Sequence, residues 1–451
     1  MTGRIRRLLV ANRGEIAVRI VRAARELGLE TVAVHSDADR DSLAVRMADV
    51  AVPIGPPPAA KSYLNIEAVI KAALDSGAQA VHPGYGFLSE NAKFAEAVES
   101  AGLVFVGPTP EAIRIMGDKS LARDTAAKAG VPTVPGSDGI VATLDEGLTE
   151  AAKIGYPVMI KAAAGGGGRG IRVADGPDEL RKQMGVAQLE AQSAFGDKSV
   201  YLERFIRRAR HVEVQVLGDG REVVHCYERE CSLQRRRQKV LEEAPSPVLD
   251  QATRERLCES AVRLAKSVGY RGAGTMEYLY DEDTREFFFI EMNTRIQVEH
   301  PITEMITGID LVGEMIRVAQ GEPLRFRQGD IAIRGVAIEC RINAEDPDQG
   351  FMPSPGRISE FRAPMGPGVR MDTMLYPGYT VPPYYDSLLG KLITHAENRP
   401  AAIERMQRAL ADLHVEGVKT TRGLHLKLME EPRFHAAQFH TGFLEGWLAD
   451  R

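Results

Sequence analysis

The chain of 451 residues is long enough for two or three domains, and its 44% hydrophobic and 26% charged residues strike a globular balance with ample core material. A formal net charge of −5 advertises neither nucleic acid nor an anionic membrane as a partner, and no apolar run approaches the roughly 18 residues a membrane span needs. Four cysteines without CxxC spacing (Cys226, Cys231, Cys258, Cys340) read as reduced, packed thiols of a cytoplasmic protein, and the apolar stretch after Arg4, Arg6 and Arg7 is too short for a signal peptide.

The first hundred residues alternate strand and helix signals. IRRLLVAN reads as a short strand, and GEIAVRIVRAARELG as a helix with Ile16, Ile20 and Leu27 at helical spacing and Gly28 as its stop. TVAVHS, AQAVHP and LVFVG are further strands, with helices expected near 65–76 and 90–101. This alternation predicts right-handed βαβ units on a parallel sheet, whose ligands sit beyond the carboxyl ends of the strands. Those ends carry Asn12-Arg13, His35-Ser36 and the turn HPGYGFLSEN, whose glycines are expected to shape the turn. Residues 110–129 read as one helix and VPTVPGSDG as a linker into a second unit. There YPVMIKAAAGGGGRGIRV is a strand, a glycine-rich loop and a returning strand. The block from about 200 to 300 is β-rich, with HVEVQV, REVVHCYE, GTMEYLY and REFFFIEMN strand-like. From roughly 331 come strands with Pro/Gly turns and a helix near 400–413; no internal repeat or low-complexity tail is visible.

Three constellations carry chemistry. In the run Gly165–Gly170, the glycines Gly165, Gly166, Gly167 and Gly168 would let backbone N–H groups approach a polyphosphate closely, and Lys161 at the strand end adds a fixed cation. The loop lacks the GxxxxGK[ST] pattern, so it reads as a mobile hairpin lid over ATP or as a merely flexible hairpin. In FFFIEMNTRIQVEHP, period-2 alternation puts Glu291, Asn293 and Arg295 on one strand face; with Glu277 on the preceding strand they suit an oxygen-ligated divalent ion, or else form a solvated cross-strand pair. Glu299 follows where the strand ends and is a candidate proton acceptor. In HVEVQV, His211, Glu213 and Gln215 share one face. Downstream, Arg235, Arg236, Arg237 and Lys239 gather positive charge, either as a solvated surface or for a small anion such as phosphate or bicarbonate. RNA binding would need interleaved aromatics and a basic domain, which are absent. His35 and His395 read as strand ends.

With these pieces in place, the chain resembles a biotin carboxylase of the ATP-grasp superfamily nearly end to end. The resemblance rests on VANRGEIAVRI, SDADRDS, KSYLN, HPGYGFLSEN, MGDK, the GGGGRG loop, HVEVQV, CSLQRRRQK, EEAPSP, EMNTRIQVEHP, TEMITGIDLV, ECRINAEDP and GYTVPPYYDSLLGKLI in that order. It implies an α/β fold of three parts: a Rossmann-like N-terminal (pre-ATP-grasp) domain over 1–116, an ATP-grasp domain over 117–330 with a mobile glycine-rich lid at about 132–205, and a C-terminal biotin carboxylase domain over 331–451.

The resemblance also implies residue roles. Lys119, Lys161 and the glycine loop would hold ATP phosphates; Glu203, Arg204 and Ile206 would border the adenine; His211 and Gln234 would contact the nucleotide. Glu277, Glu291 and Asn293 match the Mg²⁺ (or Mn²⁺) set, the two glutamates facing ATP as well. Lys239, Arg295, Gln297, Val298 and Glu299 match the bicarbonate pocket, with Glu299 as the base, Arg341 stabilising the biotin enolate and Tyr85 lining the biotin side. The chain departs from the family at Arg237, where His or Asn stands near the nucleotide ribose. No AMKM-type biotin-acceptor segment occurs, so a free-standing subunit is expected. Its partners would be a biotin carboxyl carrier protein, carboxyltransferase subunits and a second copy in a homodimer, with no nucleic acid or membrane. Acetyl-CoA carboxylase in fatty acid synthesis is the expected context; another acyl-CoA, pyruvate or 2-oxoacid carboxylase is the alternative. Another ATP-grasp ligase would not need the Arg295–Glu299 cluster, and a silent nucleotide-binding protein would not need the full acidic and basic set.

Overall fold

The computed structural model describes residues 5–162, 171–195 and 197–450. The chain divides into two compact units. The first comprises the residues up to Val131, Arg210–Leu279 and those from Glu291 onward; the second comprises Pro132–Ala209 and Tyr280–Ile290.

The first unit begins with β1 (Arg7–Val10), α1 (Gly14–Glu26), β2 (Glu30–Ser36), α2 (Leu43–Met47), β3 (Val50–Gly55), α3 (Ile66–Asp75), β4 (Ala80–His82), α4 (Ala92–Ser100) and β5 (Val104–Phe105). Its five strands form a wholly parallel sheet in the order β3-β2-β1-β4-β5. Both faces are covered because alternate residues of β1 feed different cores. Leu8 and Val10 pack with Ile16 and Ile20 of α1, whereas Leu9 joins Val32, Val81, Phe94 and Phe105. The sequence reading omitted β3. It is an edge strand with alternate residues exposed, and Pro53 inside its short apolar run VAVPIG argues against a strand in the sequence. At the carboxyl end of β4, Gly84 adopts φ +64°, and a Cβ there would come within 2.9 Å of the Asn12 amide, which donates to the carbonyls of Pro83 and Tyr85 at 2.7 Å each. The glycine shapes the turn, as expected.

The helix expected over 110–129 is two helices, α5 (Pro110–Gly117) and α6 (Lys119–Lys128). Asp118 breaks the run by leaving helical geometry and capping α6, its carboxylate accepting from Leu121 N–H. Lys119 therefore opens a helix rather than lying within one.

In the second unit, α7 (Leu144–Ile154) and α8 (Pro177–Phe195) cover a three-stranded sheet of β6 (Val158–Ala162), β7 (Ile171–Ala174) and β8 (Val200–Arg204), in the order β7-β6-β8. Val158, Ile160, Leu180, Met184, Val200 and Leu202 fill its core. β6 and β7 run antiparallel, matching the strand–loop–strand reading. Gly165, Gly166, Gly167 and Gly168, between these strands, lie outside the described residues.

The largest element is an eight-stranded sheet. It contains β9 (Ala209–Asp219), β10 (Val223–Arg235), β11 (Gln238–Ala244), β12 (Arg271–Asp281), β13 (Glu286–Asn293), β14 (Val336–Asn343) and the strands Val369–Thr373 and Leu388–Ala396. The order is β13-β12-β9-β10-β11-β14, then Leu388–Ala396, then Val369–Thr373. The β-rich block is interrupted by α9 (Gln251–Ser267), which buries Leu257, Ala261, Leu264 and Ala265 at helical spacing after an Asp250 cap. After β13 come α10 (His300–Thr307) and α11 (Leu311–Ala319). Among the described residues no helix is long and apolar enough to cross a membrane.

Candidate active site

The site is built on one face of the large sheet within the first unit. β9 alternates as expected: His211, Glu213 and Gln215 point to one side and the valines between them to the other, but both sides are buried. Glu213 is fully buried and is held by Arg229 of β10, whose Nε donates at 2.7 Å. The same guanidinium donates to Gln215 (2.7 Å), Thr303 (2.9 Å) and Thr275 (3.1 Å), so β9, β12 and the helix that carries Thr303 are tied to one buried cation.

Lys239 of β11 reaches into this layer. Its ammonium donates to Glu299 at 2.6 Å, to Glu277 at 3.0 Å and to Glu213. The basic run is thus not a single patch. Arg236 and Arg237 form the exposed turn between β10 and β11, with φ values of +48° and +66°, and Arg235 lies over the Phe351 ring at 3.9 Å. Lys239 alone of the four turns inward to the carboxylates, while the three arginines stay at or beside the turn.

Glu299 stands at the N-terminal end of α10 and is completely buried. One carboxyl oxygen accepts from Lys239, the other from Arg341 of β14 at 3.1 Å. Burial and the nearby Glu213 push its pKa up, yet Lys239 and Arg341 outweigh them and hold it below the usual carboxylate value. Glu299 is therefore a buried carboxylate held in its ionised form by two cations. Arg341 is itself anchored from behind, its Nε donating to Glu242 at 2.6 Å. Burial and the charge of Glu299 raise the Glu242 carboxyl to about 7.

Glu277 on β12 and Glu291 and Asn293 on β13 come together on neighbouring strands, as the alternation predicts. Glu277 accepts from Asn293 at 2.9 Å and Gln297 at 3.2 Å. Burial and the adjacent Glu277 charge raise the Glu291 pKa, with Lys119 opposing. Two carboxylates repelling one another beside an amide are a hard oxygen donor set that a divalent cation relieves, so the residues fit Mg²⁺ or Mn²⁺. Arg295 departs from the prediction. The strand stops at Asn293, so Arg295 lies in the following loop and folds back, donating to Asn293 (2.9 Å), Gln297 (2.8 Å) and Glu90 (2.8 Å). Glu90, at the end of the HPGYGFLSEN turn, was not singled out from sequence; neither were Arg229 and Glu242. Gln234 is buried, its amide donating to the Cys231 carbonyl at 2.8 Å. Tyr85 donates its hydroxyl to Glu15, and the Val298 carbonyl accepts from Lys391 at 2.8 Å.

In the second unit, Lys161 of β6 and Glu203 of β8 form an ion pair, and Arg204 faces Glu286 (3.3 Å) and Asp281 (3.7 Å). Ile206 is half-buried just beyond β8.

His211 offers a measurable signature. Burial disfavours its charged form, but Glu277 at 3.3 Å and Glu213 at 3.7 Å outweigh this and raise its pKa from 6.5 to about 9. A raised folded-state value means the stability is fully present below about 6.5 and lost as pH rises through about 9. In chelator, wild type is expected to lose roughly 3 kcal/mol more across that window than His211→Asn, read as the pH dependence of denaturant unfolding. Parallel profiles would remove His211 from this role.

Family models match along the chain: "Biotin carboxylase, N-terminal domain" over residues 4–113, "Carbamoyl-phosphate synthase L chain, ATP binding domain" over 118–327, and "Biotin carboxylase C-terminal domain" over 339–446. Biotin carboxylase of Nostoc sp. is 58% identical over 97% of this chain and 98% of its own. Biotin carboxylase 1 of Bacillus subtilis is 54% identical over 98% of each. Among solved structures, the biotin carboxylase domain dimer of Hydrogenobacter thermophilus 2-oxoglutarate carboxylase, in complex with MgADP, ADP and bicarbonate, aligns with TM-score 0.87 and 48% identity over 98% of each chain. The chain belongs to the biotin carboxylase family.

Proposed function

We propose that the protein carboxylates biotin carried on a biotin carboxyl carrier protein, using ATP and bicarbonate and releasing ADP and phosphate. The observation that carries the reading is Glu299, a fully buried carboxylate held ionised between Lys239 and Arg341. Such a group can accept a proton from a small anion drawn to the same two cations.

Bicarbonate is a poor electrophile and must first be activated as carboxyphosphate. Lys239, Arg295, Gln297 and the Val298 main chain hold it, and Glu299 removes its proton as an oxygen attacks the γ-phosphoryl group of ATP. Glu277, Glu291 and Asn293 would hold Mg²⁺ (or Mn²⁺), which supplies charge neutralisation on the phosphoryl oxygens. Carboxyphosphate breaks to CO₂ and phosphate, and that phosphate takes the biotin N1 proton. Arg341 stabilises the enolate that captures CO₂, with Tyr85 lining the biotin side. Excluding water from around the buried Glu299 protects the intermediate from hydrolysis. For the nucleotide we assign Lys119, His211 and Gln234 of the first unit and Lys161, Glu203, Arg204, Ile206 and Gly165–Gly168 of the second, on the resemblance.

We place this half-reaction in an acetyl-CoA carboxylase of fatty acid synthesis, with carboxyltransferase subunits and a second copy of the chain as partners, on the likeness to the free-standing biotin carboxylases. The same step for another acyl-CoA, pyruvate or a 2-oxoacid is the alternative, which the 2-oxoglutarate carboxylase likeness supports. ADP release with Mg-ATP and bicarbonate should rise sharply on adding free biotin or a biotinylated carrier domain. Turnover indifferent to both would leave an ATP-grasp ligase with another acceptor.

A further inference from the structure

Behind the base lies a buried ion pair that the proposed chemistry does not use. Glu15, in the first turn of α1, and Lys391, on the strand Leu388–Ala396, are 2% and 0% exposed. Lys391 Nζ lies 3.1 Å from Glu15 Oε1 and donates to the Val298 carbonyl at 2.8 Å. The Tyr85 hydroxyl donates to that same Glu15 oxygen. An unbroken polar chain therefore runs from Tyr85 through Glu15 and Lys391 to the peptide that precedes Glu299. Lys391 also stands opposite Arg341 in the strand register, so the chain passes directly beside the guanidinium that holds Glu299.

A fully buried ion pair is a weak device for stability, since an apolar pair of similar volume would serve as well. What it does provide is fixed geometry. The ammonium clamps a main-chain oxygen of the bicarbonate segment, and its counter-ion is oriented by a phenol on another element. We infer that Glu15 and Lys391 are positioning residues that couple the Tyr85 side of Arg341 to the Val298–Glu299 segment. This inference rests on the biotin carboxylase reading of Tyr85 and Val298. A change at the Tyr85 hydroxyl then alters bicarbonate binding although Tyr85 is assigned no contact with bicarbonate.

The test is steady-state kinetics of wild type, Tyr85→Phe, Lys391→Met and the double variant, with bicarbonate varied at saturating Mg-ATP and biotin. Lys391→Met is expected to raise KM for bicarbonate about tenfold while KM for ATP stays within about twofold. Tyr85→Phe, which keeps the ring and removes only the hydroxyl, is expected to raise KM for bicarbonate about threefold, and the double variant to fall short of the product of the two. A bicarbonate KM within about 1.5-fold of wild type in both single variants, or effects that multiply cleanly, would overturn the coupling. Should Lys391→Met fail to fold, the charge-balanced Glu15→Gln/Lys391→Met variant and Tyr85→Phe decide by the same measurement. Wild-type protein without biotin-stimulated ADP release would overturn the functional reading and the coupling with it, whereas a stimulated wild type with unchanged variants overturns the coupling alone.

Discussion

Glu299→Gln is expected to lower biotin-dependent ADP release by about 10³-fold, the scale of a lost general base, without unfolding the protein. The amide is isosteric and its single oxygen can still accept from one of Lys239 and Arg341, which bond different oxygens of the native carboxylate, but it cannot take a proton from bicarbonate. The two cations remain compensated, because Lys239 keeps Glu213 and Glu277, and Arg341 keeps Glu242. KM for ATP is expected to change by less than about threefold, since Glu299 is assigned no contact with nucleotide. Near-wild-type turnover in a folded variant would remove Glu299 from the base role and return the bicarbonate proton to another acceptor.

The second large effect falls on stability. Arg229 is entirely buried and donates to Glu213, Gln215, Thr275 and Thr303. Arg229→Met strips four acceptors of a donor and leaves Glu213 relying on Lys239 and His211, and we expect a loss of about 3–5 kcal/mol in denaturant unfolding. The paired variant Arg229→Met/Glu213→Leu removes the orphaned carboxylate as well and is expected to regain a large part of the loss, though not activity, because Lys239 loses an anchor. A single variant as stable as wild type would show that Glu213 discharges itself by taking up a proton.

Much of this site was legible in the chain. Glu277, Glu291 and Asn293 follow from period-2 alternation in strands bordered by phenylalanines, and Glu299 from its place just past the strand. Arg295 shows where alternation stops being a guide: two residues beyond the strand, a side chain's direction is set by its partners, here Glu90 and Gln297. The run Arg235–Lys239 shows the same limit, since two residues with positive φ reverse the chain inside it and send one cation inward. Arg229, Glu242, Glu15 and Lys391 left no local signal. A charged residue in a strand or a helix ordinarily marks a solvated face, and what buries these four is a set of partners 14 or more residues away that only the assembled fold brings near. In the fold, the split at Asp118 and the edge strand β3 were missed for a related reason: a single cap and a single proline outweigh the pattern around them.

The ladder between β11 and β14 pairs Leu241 with Cys340 and Glu242 with Glu339. The stretches matched by the ATP-binding and C-terminal family models end at residue 327 and begin at residue 339, so their seam runs through the middle of one continuous sheet. A chain severed there would turn two interior strands into bare edges, each offering unpaired amides to any neighbour. It would also part Arg341 from both Glu242 and Glu299. The two segments are separable as patterns of sequence but not as pieces of matter, and attempts to produce either alone should yield aggregates rather than a half-enzyme.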